Sequence, residues 1–143
     1  METAVSFFIE DVDFELVAQD FHADWLNRLA KSHDASIHDI NYILVSDQYL
    51  LKLNQNYLDH DTYTDIITFP YDAEEHKALG GDIYISVERV KENAVEFDVS
   101  FEDELARVMA HGLLHLIGFE DKDEAAQKEM RAAEDAALEL RIK

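Results

Sequence analysis

Residues 101–118 read FEDELARVMAHGLLHLIG, and the way this run folds constrains the rest of the chain. From Val108 onward apolar residues fall on nearly every side of a helix with 3.6 residues per turn. Such a helix has no broad face for water, so it belongs at the centre of the molecule. Ser100, followed three residues later by Asp103, forms a capping box in which Asp replaces the usual Glu or Gln. Gly118 ends the run as a residue suited to the left-handed C-terminal position. Within this apolar span stand His111 and His115, four residues apart, and between them Gly112.

The surrounding sequence predicts the layers that enclose this helix. TAVSFFIEDV (3–12) puts Val5, Phe7 and Ile9 on one face of a strand. Asp13 then reads as the N-cap of a helix over 14–33 with the stripe Leu16, Val17, Phe21, Trp25, Leu26 and Leu29. IHDINYILVS (37–46) is a second strand, and Ser46 starts a helix over 47–58 that buries Leu50, Leu53 and Tyr57. HDTY (60–63) is a turn, TDIITFPY (64–71) a short strand, DAEEHKA (72–78) a loop, and Ile83 and Ile85 mark a fourth strand. Helices are expected over 87–97 and from about Asp123 to Leu140, the latter acidic with Met130 and Ala133 inward. This order predicts a single α+β domain over residues 1–143: a small mixed sheet of about four strands, packed with about five helices.

Composition narrows the functional classes. The 143 residues contain no cysteine, which excludes disulfides, thiol nucleophiles and thiolate metal sites and fits a reducing cytoplasm. METAVSFFIEDVD has no basic region followed by an apolar core, and no apolar run approaches the roughly 18 residues of a membrane span, so a soluble cytoplasmic protein without a membrane partner is expected. Thirty-two acids against 12 Lys and Arg give a net charge of −20, which repels nucleic acid and favours a basic partner. The bases are scattered, as in Arg28/Lys31, Arg89/Lys91 and Lys128/Arg131.

The two histidines carry the chemistry. Residues i and i+4 share a helical face, about 5–6 Å apart at Cβ, so two neutral imidazoles there can bind one first-row metal. A catalytic zinc usually takes three protein ligands and keeps one position for water, so a third ligand is needed nearby. After the stop at Gly118 the chain offers Asp121, with Glu120 and Asp123 as competitors by proximity. The opposing reading makes His111 and His115 hydrogen-bonded core residues and the acids a solvated loop. A mid-helix glycine costs about 1 kcal/mol relative to alanine, so Gly112 serves either close packing or room for substrate beside a metal. In the H-E-x-x-H peptidase pattern this position holds the glutamate base, so ordinary zinc peptidase chemistry is disfavoured. His22, His33, His38 and His76 lack ligand spacing and read as surface or structural residues, while His60 is open.

HGLLHLIGFED (111–121) resembles the H-G-x-L-H-L-x-G-Y-D-H signature of the YbeY family, metal-dependent endoribonucleases of ribosomal RNA maturation. LNQNYLDHDTYTDIITFP (53–70) is similar to that family's L-N-x-x-Y-R and T-D-V-L-S-F-P blocks, and LGGDIYIS (79–86) to its G-D-I-x-I-S strand. The resemblance implies a metal held by His111, His115 and Asp121, with Asp121 standing where the family has its third histidine. It also implies a hydrolase cutting RNA with a metal-activated water, and ribosomal RNA, the ribosome or ribosomal proteins as partners. Zinc is the expected ion. A carboxylate in the set makes nickel, iron or manganese more acceptable than three imidazoles would. Thr64, Asp65 and Asp82, inside the resembling blocks, are candidates to orient ligands or water, or equally to make local caps and turns. Leu58 occupies the place of the family's arginine, and no general acid or base is assigned. The alternatives are a non-catalytic ribosome assembly factor with a structural metal and an iron(II) oxygenase, the latter matching the ligand types but neither the fold nor the blocks.

Overall fold

A four-stranded sheet in the order β1-β2-β4-β3 forms the centre of the computed structural model, which describes residues 5–16, 18–57, 64–71 and 78–142 without the side chains of Tyr57, Ala78 and Ile142. The expectations for Val17, Leu58, His60, His76, the turn at 60–63, the loop at 72–77 and the Tyr57 side chain lie outside the described residues. The elements are β1 (Val5–Glu10), α1 (Gln19–Ser32), β2 (Ser36–Val45), α2 (Asp47–Tyr57), β3 (Ile66–Pro70), β4 (Ala78–Ser86), α3 (Val87–Phe97), α4 (Phe101–Ile117) and α5 (Glu124–Ile142). β2 runs parallel to β1 and β4, and β3 antiparallel to β4, so the sheet is mixed, as the sequence predicts.

Both faces of the sheet are covered at the C-terminal ends of β2 and β4, which explains the apolar runs Tyr42–Val45 and Ile83–Ile85. Ile40, Tyr42, Leu44, Ile83 and Ile85 pack beneath α1 and α4. Ile43, Val45 and Ile67 face the other way, against Leu50 of α2. α4 is the buried helix: Val108, Met109, Ala110, Leu113 and Leu114 are all inside. The Tyr42 hydroxyl, its pKa pushed up by burial, donates to the Met109 carbonyl at 2.8 Å and ties α4 to β2. The Ser100 hydroxyl accepts the Asp103 N–H at 3.1 Å, as expected of the cap. At the far end Gly118 adopts φ 130° and its N–H reaches the Leu114 and His115 carbonyls, which turns the chain back toward α4. α5 then lies along α4 with Met130 and Ala133 inward, and Trp25 of α1 donates to the Ala137 carbonyl at 2.8 Å.

The first helix departs from expectation. It starts at Gln19, not after Asp13, because Ala18 takes φ 57° and a helix cannot continue backward through a left-handed residue. Phe14 instead meets Phe101 edge-on at 5.6 Å, and Leu16 is buried, so these side chains fill core space from an irregular segment. The helix presents a slightly different face from the predicted one: Phe21 is 43% exposed whereas His22 is 7% exposed.

Gly112 is explained by packing. A Cβ there would lie 2.9 Å from Ile83 Cγ2 and 3.1 Å from Ile66 Cδ1, both on the sheet under α4. The glycine therefore sets the distance between α4 and β4 and does not open room for substrate. Gly112→Val should destabilise the fold by about 1–3 kcal/mol through overpacking. The check is the urea midpoint of the variant beside wild type; an unchanged midpoint would mean that the sheet yields freely.

Candidate metal centre

One side of α4 is not covered by apolar residues. His111 and His115 emerge there, their rings 4.9 Å apart and nearly perpendicular at 80°, with side-chain exposures of 20% and 34%. They are half-buried, not fully enclosed as their position in the apolar run suggests. The reversal at Gly118 brings Asp121 back over them, and Gln127 holds that loop by donating to the Asp121 carbonyl at 3.1 Å. Asp121 Oδ2 lies 3.4 Å from His111 Nε2 and 3.7 Å from His115 Nε2.

These spacings fit a metal. Two ligand atoms bonded to zinc at about 2.1 Å with a tetrahedral angle between them lie about 3.4 Å apart. All three donor atoms fall within 4.8 Å of one another, and no other such triad occurs among the described residues. The competing acids are engaged elsewhere. Asp123 caps α5 by accepting the Ala126 N–H at 2.8 Å, and Glu120 extends outward to Lys122 at 3.5 Å.

Behind His111 stands a residue that the sequence reading missed. Glu134 Oε2 lies 2.7 Å from His111 Nδ1, and its Oε1 accepts from Arg107 at 2.9 Å. Burial opposes the charged His111 ring, but the Glu134 hydrogen bond and the charges of Glu134, Asp121 and Asp65 outweigh it, so the pKa is raised. The signal for Glu134 was its position: it shares the inward stripe of α5 with Met130, Ala133 and Ala137, where an unpartnered acid would be costly.

The triad opens onto a cleft of about 720 Å³ lined also by Asn54, Thr64, Asp65, Ile66 and Thr68. Among the described residues no Lys or Arg lines it. Thr64 and Asp65 are thus at the site. Burial raises the Asp65 pKa, opposed by His111, and Asn93 donates to its carboxylate at 3.3 Å. Asp82 is not at the site. Ile83 points to α4, so its strand neighbour points through the opposite face, where Asn41 at 3.1 Å and Tyr71 donate to the Asp82 carboxylate. Strand alternation puts Asp82 on the sheet face opposite His111 and His115, so it does not serve them as its place in the sequence suggests.

Comparison with known proteins identifies the family and the fold. The profile of the family described as Endoribonuclease YbeY matches residues 8–141. The chain is 49% identical to Endoribonuclease YbeY of Cytophaga hutchinsonii over 140 residues, covering 98% of this chain and 97% of that protein. It is 47% identical to the protein of the same description from Flavobacterium psychrophilum over 133 residues, covering 93% and 94%. A Thermotoga maritima protein solved in solution superposes with a TM-score of 0.64 at 30% identity, over 96% of this chain and 88% of that one.

The ligand assignment predicts the metal content of purified variants. Glu120→Ala should retain the bound ion of wild type and Asp121→Ala should lose most of it, measured by elemental analysis. The reverse pattern would move the third ligand to Glu120.

Proposed function

The chain belongs to the endoribonuclease YbeY family, and from that premise we propose that it is a metal-dependent endoribonuclease, a hydrolase of RNA phosphodiester bonds acting in ribosomal RNA processing and ribosome maturation. The observation that carries this reading is that, among the described residues, three donors and no fourth converge on the wall of an open cleft. A structural zinc is closed by four protein ligands, whereas a catalytic one keeps a position for water or substrate. A divalent ion held there supplies Lewis acidity toward a phosphate oxygen and acidifies water. His111, His115 and Asp121 hold it; Thr64 and Asp65, on the same cleft, offer hydrogen-bonding groups that orient water or substrate.

Asp121 tunes the site. With zinc, one carboxylate leaves the ligand set with a charge of about +1 where three imidazoles leave about +2, which weakens the pull on water and phosphate. Zinc remains the expected ion, and the oxygen donor makes nickel, iron and manganese acceptable alternatives.

The absence of Lys and Arg from the described cleft, together with the −20 charge, bears on how RNA arrives. We infer that a ribosome or basic ribosomal proteins present the RNA to this acidic enzyme, which places it in the cytoplasm. No described helix is long and apolar enough to cross a membrane.

Purified protein loaded with zinc or manganese should cleave a ribosomal RNA fragment, and His111→Ala should abolish cleavage while keeping the circular dichroism of wild type. If no ion supports cleavage and chelation unfolds the chain, the metal is structural and the protein is an assembly factor. Asp121→His should raise the single-turnover rate with zinc; a lower rate would remove the charge argument. Binding to naked RNA should be weak and should fall steeply with salt in a filter-binding titration. Tight sequence-independent binding at physiological salt would contradict delivery by a partner.

A further inference from the structure

Glu134 is 9% exposed at its side chain, and each of its two oxygens has a different partner on α4. Oε1 accepts from Arg107 at 2.9 Å, and Oε2 lies 2.7 Å from His111 Nδ1, one helical turn further on. Arg107 in turn donates to Asp135 at 2.6 Å, so its guanidinium bridges two adjacent acids of α5. A buried carboxylate without partners would be strongly destabilising, and the arginine alone would suffice to compensate it. The second oxygen is directed instead at the metal-ligand histidine.

That contact has a chemical consequence. An ionised carboxylate can only accept, so the neutral His111 ring carries its proton on Nδ1 and leaves the Nε2 lone pair free. Nε2 is the nitrogen that lies 3.4 Å from Asp121 Oδ2, on the metal side. The ring is therefore held in the tautomer and orientation that a metal requires before any metal arrives. His115 differs: among the described residues its partners are Asp121 and the His111 ring, and neither fixes its Nδ1.

We propose that Glu134, held in place by Arg107, is a positioning residue for the metal centre, and that through it the docking of α5 on α4 sets metal affinity. The proposal rests on the His111–His115–Asp121 reading. Removing such a carboxylate behind a ligating histidine typically weakens metal binding by about 10–100-fold. A purely structural role for Glu134 would lower the stability of the metal-free chain and leave the affinity of the folded protein for metal unchanged.

The experiment is a competition titration of the full chain with Zn²⁺ against a fluorescent chelator. It compares wild type, Glu134→Gln, Glu134→Asp, Arg107→Met and the Arg107→Met/Glu134→Gln double variant, each verified as folded by circular dichroism. Glu134→Gln should bind Zn²⁺ about 10–100-fold more weakly than wild type. Glu134→Asp, which keeps the charge but shortens the reach, should also lose affinity and serves if the glutamine variant does not fold. Arg107→Met should weaken binding less, and its effect should vanish in the Glu134→Gln background because it acts through Glu134. In the metal-free wild type, long-range ¹H–¹⁵N spectra should find His111 as the Nδ1–H tautomer. Zn²⁺ affinity within twofold of wild type in folded Glu134 variants, additive losses in the double variant, or an Nε2–H tautomer would each overturn the proposal. Unchanged Zn²⁺ binding in His111→Ala, His115→Ala and Asp121→Ala would instead overturn the metal site itself, which keeps the two failures distinguishable.

Discussion

The close seating of α4 on β4 is the contact on which the rest of this structure depends. Residue 112 has no side chain, and a Cβ would come within 2.9 Å of Ile83. Bare backbone at this point lets the helix lie low on the sheet, with Met109 and Leu113 fully buried and the Met109 carbonyl within reach of Tyr42. Because that face is committed to the sheet, His111 and His115 on the adjoining face emerge along the edge of the packed layer. His111 and His115 stand there beside β3, whose Ile66 and Thr68 line the same cleft. A helix standing further off would lose buried apolar area and would also displace both imidazoles relative to Asp65 and Asp121.

A second consequence is electrostatic. Asp121, Asp65 and Glu134 all act on His111 and all favour its charged form, against burial. Without an ion this is an accumulation of negative groups around one ring, in a chain already at −20. A divalent cation between His111, His115 and Asp121 offsets that accumulation directly, which gives the site an affinity for cations beyond its ligand bonds. The arrangement also separates two tasks. Asp121, at 44% side-chain exposure, can adjust with the loop after Gly118, whereas Glu134 is clamped between α4 and α5. One acid faces the histidine pair from the solvent side and the other holds His111 from the protein side.

Much of this was legible in the sequence because the signals were local. The bounds of α3 and α4, the Ser100 cap, the stop at Gly118 and the inward Met130 and Ala133 all follow from spacing along a single helix. Two of the three resembling blocks line the cleft, through Asn54 and Thr64 to Thr68 in one and His111, His115 and Asp121 in the other, while 79–86 supplies Ile83 beneath α4. Where the reading failed, a nonlocal contact had overridden a local preference. Asp13 is a sound N-cap, yet Phe14 and Leu16 gain more by filling the core near Phe101 than by lining a helix. Asp82 lies within a resembling block, and only the direction of Ile83 determines that it faces away from the site.

The chain by itself therefore determined the order of its elements, the central helix, and a candidate metal-ligand set of two histidines one turn apart with an acid just past a glycine stop. Periodicity, caps and turn residues carry that information because each acts within a few residues. The tertiary structure alone decided which residues stand behind the histidine pair. Glu134 is 23 residues from His111 in sequence and looks like one acid among many in an acidic helix. It reaches the ring because α5 folds back along α4 and turns the stripe of Met130, Ala133 and Ala137 inward, carrying the carboxylate with it. Helical spacing sets that acid on the inward stripe, unlike Glu129 or Asp135, but only the docking of one helix on another decides that it meets His111.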